Sequence, residues 1–191
     1  RKIKRGNATK ILSKSKNKLK GNFTTGSQEH FYLEGQAAFV IPKEDNDLVV
    51  YSSTQHPSET QQIIAKMLNQ KSNSITVVVR RIGGGFGGKE TNFMTSSICS
   101  LLAYRTKCPI KLRLDRDDDI IITGKRHEFY SDYEVGFNDD GEIKALKLKL
   151  ASRCGMSPDL SYAINERALL HVDNAYFISN LEVDNYLCKT N

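Results

Sequence analysis

The chain has 191 residues, a net charge of +6 and 39% hydrophobic residues, and these values describe a globular protein with a real core, as one domain or two small ones. No apolar run approaches the ~20 residues that cross a bilayer, so the composition excludes a membrane-spanning helix. The first residue is Arg1 and no signal-peptide pattern follows it, which predicts a fragment or a processed product.

The positive charge is concentrated at the start of the chain. Nine of the 28 Lys and Arg residues lie within residues 1–20, without an acidic residue, so the later positions carry 19 basic and 22 acidic side chains. Such a segment is able to bind nucleic acid or an anionic membrane surface. No aromatic side chains interleave with these lysines as stacking platforms, so we predict a solvated basic arm or connector at 1–20 and the folded portion at 21–191.

Extended segments and one helix are predicted in the first part of the folded portion. Residues 21–27 and 31–41 are typical of extended chain, and Leu48–Ser52 of a short strand. Pro57 lies where a helix would begin. That helix has one apolar face, made of Ile63, Ile64, Met67 and Leu68. The β-branched run at 75–79 predicts a buried strand.

The densest cluster of glycines follows this strand. Five of the 13 glycines occupy positions 83–88, where Phe86 is the only residue with a side chain. Backbone N–H groups in such a loop can be approached closely by a ligand, and those of Phe86 and Gly87 are the predicted donors. Since a helix is predicted from about Thr91, these groups would lie at its positive end, where anionic or oxo ligands are stabilised. The alternative is a tight turn that binds nothing.

Two nucleotide-binding motifs match parts of this loop. Gly83, Gly85 and Gly88 satisfy G-x-G-x-x-G, and residues 83–89 satisfy the first seven positions of a P-loop. At the eighth position, Glu90 has no hydroxyl for magnesium and brings a negative charge to the phosphates. The dinucleotide fingerprint also needs an acid about 20 residues further on, and none is present at 106–110. A nucleotide-binding module stays an alternative.

Mixed helices and strands are predicted after the loop. Apolar residues at helical spacing follow it directly: Met94, Ile98, Leu101 and Leu102. Residues 111–114 alternate like a strand, and 129–137 with 143–150 predict a hairpin around an Asn-Asp-Asp-Gly turn. A helix is predicted at 158–170 and a strand at 181–187. The pattern favours an α+β fold, a layered mixed or antiparallel sheet with packed helices.

The cysteines, histidines and clustered acids show no metal-binding pattern. The four cysteines contain no C-x-x-C pair and the four histidines lack zinc-ligand spacing, so free thiols and no iron–sulfur cluster within the chain are expected. The acidic run at 115–119 lacks the glycine and the terminal glutamate of a calcium loop. It predicts a solvated turn or a helix cap.

Several segments together resemble one family. The sequence GGGFGGKET at 83–91 resembles the glycine loop in the molybdenum-binding part of xanthine dehydrogenases and the related aldehyde oxidases. Further segments resemble that family in the same order: 28–34, 53–55, 114–117, 123–127, 165–169 and 188–191. The resemblance runs from about Gly26 to the last residue. It implies an early portion of the molybdopterin-binding domain, without the downstream remainder that carries the general base.

The resemblance also implies an activity. The intact enzyme would be a cytoplasmic, homo-oligomeric oxidoreductase of purine catabolism that oxidises hypoxanthine and xanthine toward urate with oxygen from water. Its cofactors would be molybdenum-molybdopterin, completed by downstream residues, and 2Fe-2S clusters and FAD on other domains or a partner subunit. No membrane or nucleic-acid partner is implied, and the isolated 191 residues are expected to be inactive. An aldehyde or other N-heterocycle hydroxylase is the alternative within the family.

Five residues receive roles from the resemblance. Gln55 and Phe86 would lie near the molybdenum, and Gly87 would bind the cofactor with them. Glu90 and Arg167 would be the catalytic, substrate-binding pair, because a guanidinium can stabilise negative charge on a purine and a carboxyl group can hydrogen-bond its edge. From the residues alone, Gln55 would cap the next helix, Glu90 would complement a helix dipole and Arg167 would form a surface ion pair. Both charged residues together favour a hydroxypurine over an aldehyde.

Overall fold

The structure, a computed structural model, describes residues 1–91 and 93–191. It divides the chain into two units, one of residues 1–28 and 126–191 and the other of residues 29–125. Each unit contains one mixed sheet with packed helices, so the predicted α+β class is confirmed. Within the described residues, none of the helices has the length and apolar character that a membrane span requires.

Nine strands and five helices make up the described part of the chain. In chain order, the strands are β1 (Lys2–Arg5), β2 (Asn17–Thr25), β3 (Ala37–Pro42), β4 (Leu48–Ser52), β5 (Ile75–Val78), β6 (Ile110–Arg113), β7 (Phe129–Phe137), β8 (Ile143–Arg153) and β9 (Leu181–Cys188). The helices are α1 (Ala8–Lys14), α2 (Pro57–Leu68), α3 (Met94–Thr106), α4 (Arg116–Ile122) and α5 (Ser161–Leu170).

The unit of residues 29–125 is built on a four-stranded sheet in the order β5-β4-β3-β6. β3 pairs antiparallel with β4 and β6, whereas β4 and β5 are parallel and are connected through α2. α2 begins at Pro57 as predicted and packs Ile64 and Leu68 into the core with Val40 and Val50 of the sheet. Burial of these side chains is the main stabilising contribution to this unit.

The buried face of α3 differs from the predicted one. The predicted face, Met94, Ile98, Leu101 and Leu102, is 39–44% exposed. The face toward the sheet instead carries small residues, among them Ser96, Cys99 and Ala103. Ser96 Oγ lies 2.6 Å from Ser52 Oγ of β4, so polar atoms on this face are hydrogen-bonded within the core. The prediction was wrong because it followed the large apolar residues, whereas small side chains allow the closer approach of a helix to a sheet.

The unit of residues 1–28 and 126–191 has a five-stranded sheet in the order β1-β9-β8-β7-β2. The predicted hairpin is confirmed as β7 and β8, and its turn contains Gly141 at φ 81°. β8 and β9 are parallel and are connected through α5, which places Leu169 on Leu150, Leu181 and Val183. α1 adds a smaller cluster on β8.

Residues 1–20, predicted as a basic arm or connector, contain β1, α1 and the start of β2. β1 pairs antiparallel with β9, and β2 pairs antiparallel with β7 along all nine of its residues. The ammonium group of Lys2 donates to the carboxylate of Glu182 at 2.9 Å. Both edge strands of the sheet therefore begin within this segment. Position 21, the predicted start of the folded portion, lies inside β2.

Candidate functional site

The glycine loop connects β5 to α3. α3 begins at Met94, later than the predicted start near Thr91, so Gly88 precedes the helix by six positions. Since the field of a helix dipole falls off within the first turn, α3 does not stabilise a ligand at the glycines. The predicted contribution of the helix dipole is therefore wrong, and the chemistry of the loop depends on its own hydrogen bonds.

Three of the glycines are required by close packing of the loop on its own unit. A Cβ atom at Gly83 would lie 2.4 Å from the Glu34 side chain, and one at Gly85 would lie 2.4 Å from Gln55 Oε1. At Gly88, a Cβ atom would meet the Tyr32 ring at 2.6 Å.

The outer edge of the loop is open at Phe86 and Gly87. A Cβ atom at Gly87 would find its nearest atom, His30 Nε2, at 3.8 Å, and both residues of this edge are exposed. The loop is therefore not enclosed in a dry core, and a ligand can approach its backbone at this edge.

Gln55 holds the loop through its side chain. Its Oε1 atom accepts hydrogen bonds from the N–H groups of Gly87 at 3.0 Å and Lys89 at 3.2 Å. It does not cap α2, because the N–H of His56 donates to Thr54 Oγ1 instead. Two donors on the oxygen fix the orientation of the amide group. The Nε2 atom, on the opposite side of this exposed amide, has no acceptor among residues 1–91 and 93–191 and is an oriented donor.

Of the two predicted backbone donors, Phe86 and Gly87, only one is without an acceptor within the protein among the described residues. The Gly87 N–H is engaged by Gln55, whereas the Phe86 N–H has no acceptor in the described part of the chain. Phe86 adopts a left-handed conformation with φ 53°, and its side chain is 65% exposed. The donors at the open edge that lack an acceptor in the described part of the chain are therefore the Phe86 N–H and the Gln55 amide nitrogen.

Lys89 points into the unit and not toward a ligand. The residue is fully buried, its Nζ donates to the carbonyl oxygen of Ile82, and it lies 4.7 Å from the centre of the Tyr32 ring. Burial lowers the pKa of this ammonium group, and the carboxylates of Glu34 and Asp119 oppose that shift. The lysine of a P-loop reaches the phosphates of a nucleotide, so this geometry disfavours the nucleotide-binding alternative.

A buried hydrogen-bond network lies beneath the loop. The Tyr32 hydroxyl donates to Asp119 Oδ1 at 2.6 Å, and the Gln36 N–H donates to Asp119 Oδ2 at 2.8 Å. Gln36 Nε2 donates to the carbonyl oxygen of Gly88 at 2.9 Å and thereby connects the network to the loop. Burial, followed by the hydrogen bond to Asp119, raises the pKa of Tyr32 to about 12. The sequence interpretation missed this network, because Asp119 closes an acidic run that is typical of a solvated turn.

The acidic run at 115–119 has two roles. Asp115 caps α4 by accepting a hydrogen bond from the Asp118 N–H at 2.8 Å, which confirms the predicted helix cap. Asp119 is buried in the network under the loop, so its predicted solvated position is wrong. Across the described residues, no group of three or more His, Cys, Asp or Glu side chains is arranged to hold a metal ion.

Glu90 and Arg167 lie in different units of the chain. Glu90 directly follows Lys89, is half-buried and has no ion-pair partner among the described residues. Since it precedes the first helical residue by four positions, it is not a first-turn acid of α3. Arg167 lies in the last turn of α5, is exposed and also has no ion pair in the described part of the chain. The neighbouring Glu166 pairs with Arg1.

Known proteins of similar sequence are xanthine dehydrogenases. The chain is 43% identical over 193 residues to the xanthine dehydrogenase/oxidase of Gallus gallus and 46% identical over 192 residues to that of Mus musculus. It is 44% identical over 190 residues to the xanthine dehydrogenase of Dictyostelium discoideum. These matches cover 99–100% of the chain, but the chain spans only 14% of the length of each relative.

Solved structures of similar fold come from bacterial oxidoreductases. The aldehyde oxidoreductase from Desulfovibrio gigas matches with a TM-score of 0.89 at 20% identity, over 99% of this chain and 21% of that protein. The quinoline 2-oxidoreductase from Pseudomonas putida 86 matches with a TM-score of 0.86 at 18% identity, over 100% of this chain and 25% of that protein. At these identities the likeness concerns the fold.

The family comparison covers the whole chain. The model of the molybdopterin cofactor-binding domain matches residues 1–191, the whole length of the sequence. The matched residues include the glycine loop and Gln55. The chain therefore belongs to the molybdopterin cofactor-binding domain family.

Proposed function

We propose that the chain is part of a xanthine dehydrogenase, a molybdenum hydroxylase that oxidises hypoxanthine and xanthine toward urate with oxygen derived from water. The observation that carries this proposal is the hydrogen bonding of Gln55, which leaves its amide nitrogen and the Phe86 N–H as donors at the open edge of the glycine loop. Identities of 43–46% to xanthine dehydrogenases support the purine substrate.

The open edge fits an anionic, oxo-bearing cofactor. Oxo ligands accept hydrogen bonds, and donors that are already oriented stabilise them without a cost of reorganisation. The absence of a side chain at Gly87 leaves room for close approach. Gln55, Phe86 and Gly87 would hold this side of the molybdopterin cofactor, with Gln55 and Phe86 nearest the molybdenum. When bound, the cofactor supplies oxygen transfer and accepts two electrons from the substrate.

The proposed substrate residues are Glu90 and Arg167. Neither charge is neutralised by an ion pair among the described residues, so both are available to a polar ligand. A guanidinium donates charge-assisted hydrogen bonds to ring heteroatoms that become negative during the reaction. A carboxyl group at Glu90 can hydrogen-bond the purine edge. Aldehydes offer no such heteroatoms, so this pair supports a purine over the alternative aldehyde substrate.

The wider organisation of the enzyme is part of the same proposal. Because the relatives are about seven times longer than the chain, we propose that residues 21–191 are one portion of a larger molybdopterin-binding region. The 2Fe-2S clusters and FAD would lie on other domains or subunits of a homo-oligomeric, cytoplasmic enzyme. Isolated residues 1–191 would neither retain molybdenum nor oxidise xanthine.

Gln55→Glu in the full-length protein tests whether the Gln55 amide nitrogen donates to the cofactor. The carboxylate keeps an oxygen for the Gly87 and Lys89 N–H groups but replaces the outward amide donor with an acceptor. Loss of one preorganised donor typically costs ~10²-fold in rate, so we expect about that loss in xanthine turnover with little change in thermal stability. Gln55→Ala, which removes the loop contacts as well, should also lower the molybdenum content. Undiminished turnover by Gln55→Glu would contradict the proposal.

Glu90→Gln and Arg167→Met test whether these two residues select a purine over an aldehyde. A hydrogen bond to a charged group contributes about 1.5–3 kcal/mol, so each change should lower kcat/KM for xanthine by roughly 10- to 100-fold. The value for an aromatic aldehyde should fall much less. Equal losses for both substrates would favour the aldehyde hydroxylase.

The nucleotide-binding alternative has its own test. With Lys89 buried, ATP and magnesium are expected to leave the melting temperature unchanged. Specific binding at 100 times Kd would add about 2.7 kcal/mol to the stability and would therefore be visible.

A further inference from the structure

One face of the four-stranded sheet has no covering layer within the described residues of its own unit, 29–91 and 93–125. α2 and α3 pack on the face that carries Val40 and Val50. On the opposite face, one row of side chains crosses the sheet from Lys111 of β6 through Phe39 and Tyr51 to Val78 of β5, as the strand register shows. The rings of Phe39 and Tyr51 stack with their centres 6.1 Å apart.

The sequence of the central strands is that of strands buried on both faces. β3 reads Ala-Ala-Phe-Val-Ile-Pro and β4 reads Leu-Val-Val-Tyr-Ser, without a charged residue in either. Strands with one wet face alternate apolar with polar residues, whereas continuous apolar runs are typical of sheets covered on both sides. The described residues of this unit cover the sheet on one side only, so the sequence pattern indicates a second covering layer.

The rim of the uncovered face is strongly basic. A concavity of about 490 Å³ on this face is lined by Phe39 and Tyr51 together with four cations, Arg80, Arg81, Lys111 and Arg113. Glu34 is the one acid in its lining. None of the four cations has an ion-pair partner among the described residues, and all four are exposed. We call this surface, defined by these six aromatic and basic residues, the basic sheet face.

We propose that the basic sheet face docks an acidic polypeptide surface contributed by the part of the enzyme outside residues 1–191. An aromatic centre with an arginine-rich surround is the composition of a protein–protein interface. The net positive rim selects a partner with Asp and Glu side chains by charge complementarity. The inference rests on the proposed function for its premise that the chain is part of a longer enzyme, like the relatives of which it spans 14%.

Polypeptide fits this face better than a small anion does. The uncovered row extends over all four strands of the sheet, and an apolar row of that length is not covered by one phosphate or carboxylate. Arg80 already stacks on the Tyr51 ring, with its guanidinium carbon 5.9 Å from the ring centre. A guanidinium held in this way is oriented for a carboxylate on an opposing surface.

Zero-length cross-linking on the full-length protein, purified in its native form, tests the docking. A carbodiimide joins lysine amines to carboxylates in contact with them, and Lys111 reports on the basic sheet face. Lys66 is the control, because it is exposed on α2 at the opposite face of the sheet. We expect Lys111 to be joined to Asp or Glu outside residues 1–191, and to react with an acetylating reagent about tenfold more slowly than Lys66, since a covered amine reacts only after local opening.

A charge reversal that keeps the reporter lysine completes the test. Arg113→Glu places beside Lys111 a carboxylate that repels the acidic partner surface. Like charges at an interface cost several kcal/mol, so the yield of the cross-link from Lys111 to residues outside 1–191 should fall about tenfold or more. Equal acetylation of Lys111 and Lys66 would overturn the inference. So would cross-links only to residues 1–191, whether of the same chain or of a second copy, or protection of Lys111 by a dialysable anion.

Xanthine turnover and molybdenum content of the same preparation separate the two proposals. Turnover with a freely reactive Lys111 refutes the docking alone. A protected and cross-linked Lys111 without molybdenum or turnover refutes the proposed function alone.

Discussion

Replacement of Gly88 by alanine probes how tightly the glycine loop packs on the network beneath it. The added Cβ atom would lie 2.6 Å from Tyr32 Cε1 and 2.8 Å from His30 Cγ, whereas carbon atoms in contact are ~3.5–4.0 Å apart. The Tyr32 ring is not free to move, because it is 1% exposed and its hydroxyl donates to Asp119 at 2.6 Å. We therefore expect the cost of an overpacked core site, about 1–3 kcal/mol.

Thermal melts of the 191-residue protein measure this cost. For a chain of this length, 1 kcal/mol shifts Tm by roughly 2–4 °C, so Gly88→Ala should lower Tm by about 2–12 °C. Gly124→Ala is the matched control, because no atom lies within 4 Å of its added Cβ and its φ is not positive. The control should not lower Tm, since alanine restricts the unfolded chain more than glycine does. A Tm for Gly88→Ala equal to that of the unsubstituted protein would refute the close packing of the loop on the Tyr32 ring.

Two further predictions concern pH. Two of the eight tyrosines should ionise late in an absorbance titration, because the hydrogen bond to Asp132 raises the pKa of Tyr130, and burial together with the bond to Asp119 raises the pKa of Tyr32 to about 12; titration of all eight together would contradict this. Tyr32 keeps its proton in the folded state, whereas the unfolded chain releases it near pH 10. The contribution of Tyr32 to stability is therefore complete below that pH and is lost as the pH rises toward 12. Hydrogen bonding from Lys2 lowers the pKa of Glu182, so its contribution is present above the usual carboxyl pKa and is lost as the pH falls through the lowered value. Glu182→Gln should therefore flatten the acid side of the stability profile in denaturant titrations, and an unchanged profile would disprove the role of this pair.

Local patterns in the sequence predicted much of the fold. The bounds of β4 and the start of α2 at Pro57 follow from a short apolar run and from the preference of proline for the first helical turn. The hairpin of β7 and β8 follows from alternation around a turn with Gly141. These elements are determined by neighbours in sequence, and sequence reasoning is strongest there.

Long-range contacts explain what the sequence did not reveal. The inward face of α3 is set by a bond between Ser96 and Ser52, residues 44 positions apart. The buried position of Lys89 does not follow from the sequence, because its acceptor on Ile82 and the Tyr32 ring are brought to it only by the folded chain. The contact of Gln55 with the loop was not predicted, because local propensity favoured a cap and the resemblance implied only a place near the molybdenum.

The basic N-terminal segment lies at both edges of the five-stranded sheet, where it affects self-association. Both edge strands, β1 and β2, begin within this segment. Their lysines include Lys2, Lys4, Lys18 and Lys20. The unpaired N–H and C=O groups of an edge strand can pair with a strand of another chain. Closely spaced ammonium groups on that edge repel a second edge of the same kind. The charge that gives the sequence its pI of 9.1 thus lies where it opposes edge-to-edge aggregation.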